Sequence, residues 1–417
     1  MDVKIHRGAA EIGGNCVEIA ASNGERIVVD IGRPLKAGWD DEIVLPSVAG
    51  LAEADSSLCG GVISHPHLDH YGLLPGVATD VPVYMGAEAA ALLRAAAFFS
   101  PVSACVEPSG FLRDRQAITI GPFTVTPFLN DHSAFDAYSL LIEADGRRVF
   151  YSGDLRAHGR KARLFEQLIQ HPPVPIDVMM LEGTHVRADA AHDDDQFETE
   201  QQLEDRFVSL LASTEGAAVV LGSAQNIDRL VTVYRAARRS RRQLVVDLYG
   251  ATVAAATRAS IPQVGFDDLR VYVPQRQRVK VKQSGEFDRV RSLGAARVYV
   301  EELATSPEKF AFHVPSSTVD ELIRGGVLDA SGVAVWSLWE GYLAEPSGQR
   351  LRNSLHEASI QFTSIHTSGH ASVKDLQRLV TALRPGRVVP MHSEATDRFT
   401  ELFQRVEQHR DNEWWKV

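Results

Sequence analysis

The chain has 417 residues, more than one hydrophobic core ordinarily holds, so two domains are expected. Lysine and arginine number 43 against 54 aspartates and glutamates, a net charge of −11, which disfavours loose adhesion to nucleic acid but leaves room for a locally positive groove. Three cysteines, Cys16, Cys59 and Cys105, with no C-x-x-C pair argue against a disulfide framework or a thiolate metal site.

A reducing, cytoplasmic setting fits this cysteine usage. The amino-terminal stretch has no apolar leader segment, and no run reaches membrane-spanning length, so no membrane association is expected.

The first elements read as short strands. Val17–Ile19 and Arg26–Val29 flank an Asn23-Gly24 turn, and Gly61–Ser64 is a buried strand. The alanine- and leucine-rich stretch 87–97 predicts a helix. Strands follow at 123–128, 139–143, 148–152 and 178–181. After residue 185 the polar run His192-Asp193-Asp194-Asp195 reads as a linker. A helix over 198–211, a strand at 217–221, a helix from Ala224 capped by Ser223, and strands at 244–248, 270–273 and 333–336 then alternate. That is the pattern of a parallel sheet. Strand, loop and helix resume near Ser359. The organisation is therefore one domain split by an α/β insert: residues 1–190 and 353–417 around an insert at 191–352.

Two basic clusters stand out in this acidic chain: Arg235 to Arg242, and Arg276, Arg278, Lys280 and Lys282. Their plain reading is a solvated helix end and a charged strand face.

The stretch His65-Pro66-His67-Leu68-Asp69-His70 follows the apolar run Gly61-Val62-Ile63. Histidines two apart beyond a strand end reach one point, and Asp69 and His70 turn toward a second. Imidazoles and carboxylates suit zinc, or manganese. Six residues do not complete two sites. His132, Asp154 and His392 each follow an apolar strand, as ligands on one shared rim require. One metal is then assigned His65, His67, His132 and Asp154, and the other Asp69, His70, Asp154 and His392. Two divalent cations, two aspartates and one bridging hydroxide leave a net charge of about +1, which suits a phosphodiester anion. Asp30, also at a strand end, is placed to accept an N–H from a ligand histidine.

Asp30, the His65–His70 run, His132 and Asp154 together resemble the motifs of the metallo-β-lactamase fold. That resemblance implies an αββα sandwich with a dinuclear site on one edge. His392 lies 238 residues beyond Asp154 with an α/β segment between, which resembles the β-CASP branch, the nucleic-acid-processing group that includes ribonuclease J. Leu181-Glu182-Gly183-Thr184, Ser368-Gly369-His370-Ala371 and Pro390-Met391-His392 resemble three further motifs of that branch.

The resemblance implies an inserted parallel-sheet β-CASP domain and a dinuclear-zinc phosphodiester hydrolase. A metal-bridging hydroxide would attack phosphorus, held in part by Asp69. His370, oriented by Glu182, would protonate the leaving oxygen or hold the phosphate. RNA is the expected partner ahead of DNA, in RNA processing or decay, with a homodimer as the family's frequent assembly. The alternatives are a DNA nuclease and a hydrolase of small esters, lactones or thioesters on the same fold. Ser223, Asn226, Arg229 and Ser368 are candidate substrate contacts, because helix-terminal N–H groups near Ser223 suit a phosphate. Trp339 and Tyr342 are assigned to packing between the domains ahead of stacking a base, and Trp414 and Trp415 to packing on the sandwich or a second subunit.

Overall fold

The computed structural model describes residues 1–38, 41–53, 55–100, 107–193 and 195–417. Cys105 and Asp194 lie outside the described residues. The chain divides into two units, Met1–Phe197 with Gly369–Val417, and Glu198–Ser368.

Alternation builds the sheets of the first unit. In Asp2–Arg7 the inward residues Val3 and Ile5 are fully buried, while Asp2, Lys4 and Arg7 are partly exposed. The first sheet runs in the order Trp414–Lys416, Asp2–Arg7, Cys16–Ala20, Arg26–Val29, Leu58–Val62, Val83–Gly86, Gly110–Leu112. The second runs Arg387–Met391, Val178–Glu182, Arg147–Tyr151, Tyr138–Ala144, Phe123–Leu129, Ile118–Ile120. Val17, Ile19, Ile27 and Val29 of the first share a core with Leu140, Ile142, Val149 and Met180 of the second. Helix Ala87–Ala97 covers the outer face of the first sheet. Helices Ala162–Gln170 and Val373–Leu383 cover the second. The first unit is thus the expected αββα sandwich.

Trp415 is buried in the carboxy-terminal strand, which pairs with Asp2–Lys4, and stacks on His409 at 4.2 Å. That places it on the sandwich, as one of the two expected readings had it.

The second unit holds one all-parallel, seven-stranded sheet. Its order is Arg297–Val298, Leu269–Tyr272, Gln243–Asp247, Phe310–Val314, Ala218–Leu221, Val333–Trp336, Gln361–Ser364. Val333–Trp336 does not close this sheet. Gln361–Ser364 pairs with it in parallel, so the insert's sheet takes in a segment that the sequence boundary at 353 gave to the sandwich. The sequence is a poor guide there because Gln361–Ser364 is a half-exposed edge strand without the apolar run that marks its neighbours. Among the described residues no helix is long and apolar enough to cross a membrane.

Candidate metal centre

Six strand ends supply the site, and they share a logic. Strands Arg26–Val29 and Leu58–Val62 are parallel neighbours, as are Arg147–Tyr151, Val178–Glu182 and Arg387–Met391, and Phe123–Leu129 ends three residues before His132. Their buried apolar runs stop where a polar loop starts, so the loop side chains emerge on one edge of each sheet. After Val62 the chain passes Ile63 and Ser64 and enters the short helix Leu68–Tyr71, with His67 at its amino-terminal boundary. The turn needs room: a Cβ on Gly32 would lie 1.8 Å from the Asp69 carbonyl oxygen. Only glycine lets that backbone pass.

Asp30 anchors the loop. It is fully buried and sits at φ +58°, a region that short polar side chains tolerate. Its Oδ1 accepts from the Ser64 amide at 2.7 Å. Its Oδ2 accepts from Ser64 Oγ at 2.8 Å, Tyr151 Oη at 2.6 Å and His70 Nδ1 at 2.8 Å. The last bond fixes the tautomer of His70 and leaves Nε2 to face the centre. His132 is held likewise: its Nδ1 donates to the Gly369 carbonyl, so Nε2 carries the lone pair.

The predicted ligands converge. His132 Nε2 lies 3.2 Å from His67 Nδ1. Asp154 Oδ2 is 3.5 Å from His65 Nε2, 3.2 Å from His70 Nε2 and 3.9 Å from His392 Nε2. His392 Nε2 lies 3.2 Å from Asp69 Oδ2. Ligand-capable atoms of His65, His67, His132 and Asp154 all fall within 4.8 Å of one another, and so do those of Asp69, His70, Asp154 and His392. Asp154 belongs to both groups. Both its carboxylate oxygens, and Nε2 of His65 and His70, are buried without a hydrogen-bond partner among the described residues. Buried polar atoms of that kind are costly unless something pairs with them. A cation fits this donor set of neutral imidazoles and carboxylates.

Burial pushes His67 down to about 4, outweighing the pull of Asp69 and Asp154, and holds His65 and His132 well below the usual imidazole range. These rings are neutral, as metal ligation requires. Asp69 is ionised. Burial favours its acid form, but His70 and His392 hold it at about 2.

Glu182 and His370 adjoin the second group. Glu182 Oε2 is 3.3 Å from His370 Nδ1 and also accepts from the Thr184 amide at 3.2 Å. Burial opposes charge on His370, but the carboxylates of Glu182 and Asp154 outweigh it and raise the ring to about 9. His370 is also the accessible member, with one-fifth of its side chain exposed (20%) against 2% for Glu182.

Three hydroxyls escaped sequence reasoning as parts of the site. Ser64 and Tyr151 complete the Asp30 cradle. Thr184 Oγ1 lies 2.9 Å from His392 Nδ1 and 3.1 Å from His370 Nδ1, tying the two rings together. Each stands beside a recognised motif, which is the one signal the sequence offered.

Of the four candidate substrate contacts, Asn226 and Arg229 serve the second unit's own structure, while Ser368 directly precedes Gly369, whose carbonyl holds His132. Asn226, not Ser223, caps the helix Ile227–Arg239 by accepting from the Arg229 amide at 3.0 Å. Arg229 is fully buried, paired with Glu200 at 3.1 Å and bonded to Ser337 Oγ, so it has no open side for a substrate. Ser223 is exposed and Ser368 half-buried, both in the second unit. Trp339 and Tyr342 are 63% and 44% exposed, their rings 5.3 Å apart edge to face.

A sandwich with histidines and aspartates on one edge defines the metallo-β-lactamase-fold hydrolases. Residues 48–221 match the beta-lactamase superfamily domain, and residues 358–414 match the Zn-dependent metallo-hydrolase RNA specificity domain. These matches make the chain similar to the metallo-β-lactamase-fold hydrolases and, within them, to the ribonuclease J proteins of the β-CASP branch. It is 24% identical to Ribonuclease J of Sinorhizobium meliloti over 85% of this chain and 61% of that protein. It is 22% identical to Ribonuclease J of Mycoplasma genitalium over 93% of this chain and 67% of that one. It therefore spans about three fifths to two thirds of the length of these curated relatives. A crystal structure of a protein of unknown function from Enterococcus faecalis shares the fold, at TM-score 0.79 and 20% identity over 99% of both chains.

Proposed function

We propose that the chain is a metal-dependent phosphodiesterase that cuts RNA and holds two zinc ions. His65, His67, His132 and Asp154 would hold one, and Asp69, His70, Asp154 and His392 the other. The observation that carries this reading is Asp154 at the junction of two four-residue groups, with the accessible His370 beside them. The cations would supply an activated water at neutral pH and offset phosphate charge.

The protein's own part is orientation and proton handling. Asp30 fixes His70 through Nδ1, and the Gly369 carbonyl fixes His132. Glu182 steadies His370 and favours the protonated form of its ring. A protonated imidazole that solvent can reach is suited to hold a phosphate oxygen or give a proton to the leaving oxygen.

The test is cleavage of matched 3′-labelled single-stranded RNA and DNA with zinc or manganese. His370→Ala is expected to lower kcat by about 10²–10⁴ while bound zinc is unchanged. Asp154→Ala is expected to lose both metal and cleavage. Full activity in Asp154→Ala, or no cleavage of RNA by zinc-loaded wild-type protein, would refute the reading.

A further inference from the structure

From Arg270 to Arg297 the sequence holds eight lysines and arginines and two acids, Glu286 and Asp288, inside a chain of net charge −11. Read as a sequence, the alternation in Gln275-Arg276-Gln277-Arg278-Val279-Lys280-Val281-Lys282 has the period of a strand. In the structure it is the helix Gln275–Ser284, ended by Gly285 at φ +74°. At about 100° per residue, Val281 points inward and Val279 outward. Val281 is 3% exposed and Val279 is 46% exposed. Arg276 and Lys280 run along one flank of Val279, and Arg278 and Lys282 along the other. Beyond Gly285, Phe287 is 47% exposed and the Arg291 side chain 77% exposed.

This arrangement costs the fold something. Each flank is a like-charged pair at i,i+4 spacing, which is unfavourable on a helix. Two arginines sit in the first turn, where the helix dipole repels cations. Glu321 offsets part of this: it accepts from the Gln275 amide at 2.9 Å and pairs with Arg278 at 3.1 Å. Glu302 pairs with Arg270, Glu286 with Arg289 and Asp288 with Arg291. Counting the acids from both the segment and its neighbours still leaves a surplus of cations. Arg276 and Lys282 have no acidic partner among the described residues.

The other basic cluster is different. Arg239 is locked by Glu204 and Asp205, Arg238 pairs with Asp268, and Arg242 is buried against the carbonyls of Gly216 and Phe310. Those cations serve the fold.

We propose that the helix Gln275–Ser284 and the turn through Arg291 form an accessory docking surface for the phosphate backbone of single-stranded nucleic acid. Cations flanking exposed apolar and aromatic side chains match such a strand, whose phosphates take the charges and whose bases take the apolar faces. The choice of ligand rests on the nuclease reading above. The surface itself belongs to the insert and uses none of the candidate metal ligands.

The test uses the full-length, zinc-loaded protein and the fourfold variant Arg276→Gln, Arg278→Gln, Lys280→Gln, Lys282→Gln. Glutamine keeps helix propensity. Binding of a labelled phosphorothioate single strand of twenty nucleotides is followed by anisotropy between 50 and 200 mM salt. The slope of log K against log salt is expected to fall by about 0.7 for each phosphate the variant no longer neutralises. Affinity at 50 mM salt is expected to drop at least tenfold, and KM for a long RNA to rise with it. Hydrolysis of a small diester, bis(p-nitrophenyl) phosphate, is expected to be unchanged. Phe287→Ala is expected to weaken binding about fivefold at an unaltered slope.

Equal affinity and slope in wild type and the fourfold variant overturn the proposal. So does equal competition by poly-L-glutamate, which would mark an acidic protein as the partner. Wild-type protein that hydrolyses no RNA, yet loses strand binding in the variant, would sink the nuclease reading and leave this surface standing.

Discussion

Asp30→Asn changes one atom and tests the hydrogen-bond logic of the whole centre. Asparagine tolerates the left-handed backbone at this position, so the effect falls on the side chain. The carboxylate accepts one bond through Oδ1, from the Ser64 amide, and three through Oδ2, from Ser64 Oγ, Tyr151 and His70. An amide oxygen at Oδ2 turns its NH₂ toward the Ser64 amide. An amide oxygen at Oδ1 turns it toward three donors. Either rotamer opposes donor to donor in a fully buried place, a cost of about 1–3 kcal/mol. His70 also loses the negative charge behind its ring, and such partners are worth about 10–100-fold in metal affinity. At about 1.36 kcal/mol per decade that is roughly 1.4–2.7 kcal/mol. Competition with a chromogenic chelator, in wild type and variant, reads the zinc affinities stepwise. Urea denaturation of the metal-free proteins reads the folding cost. A variant that unfolds at the wild-type midpoint and keeps both zinc affinities within twofold would refute the account of Asp30.

Two further predictions concern the insert. Burial raises Asp247 to about 6 from the usual 3.8, against the bonds it accepts from the Gly250 amide and Gln277. The native state therefore holds this proton more tightly than the unfolded chain. The stabilisation is full below pH 3.8 and is lost as pH rises to about 6, by roughly 3 kcal/mol. The difference in urea midpoint between wild type and Asp247→Asn should change across that window and be flat above it; parallel curves would contradict the shift. Arg229→Ala removes the guanidinium that pairs with the buried Glu200 carboxylate at 3.1 Å, and should cost about 3–5 kcal/mol. Adding Glu200→Leu to Arg229→Met should recover only part of that loss, because Ser337 and the Ile365 carbonyl still lose their donor; a double variant no more stable than Arg229→Met alone would refute the assignment to the buried acid.

The convergence of the candidate ligands was legible because ligation is selective in residue type and place. Few reasons other than a metal bring His65, His67, Asp69 and His70 to one strand end, and His132, Asp154 and His392 repeat the pattern. The supporting hydroxyls were not legible. Serine, threonine and tyrosine are common everywhere, and beyond their place beside a motif only three-dimensional proximity gives Tyr151 and Thr184 their roles. The segment Ser223–Arg229 misled for a related reason: small and polar residues before a helix suit a phosphate and a cap equally well, and burial decides that Arg229 serves the core. Gln275–Lys282 misled through periodicity, since alternation of charged and apolar residues is the mark of a strand until neighbouring elements bury one helical stripe at Val281.

The return of Arg387–Met391 to pair with Val178–Glu182 has a consequence for the protein as it is made. Asp154 leaves the ribosome 238 residues before His392. At roughly 5–20 residues per second, the ligand group that joins them stays incomplete for about 12–48 seconds of synthesis. From its own synthesis until Arg387–Met391 follows, Val178–Glu182 presents an open strand edge to solvent or to a chaperone. A chain released early, anywhere in the insert, keeps His65, His67, His132 and Asp154 but lacks His370 and His392. Premature release therefore yields a chain with only one of the two candidate ligand groups complete.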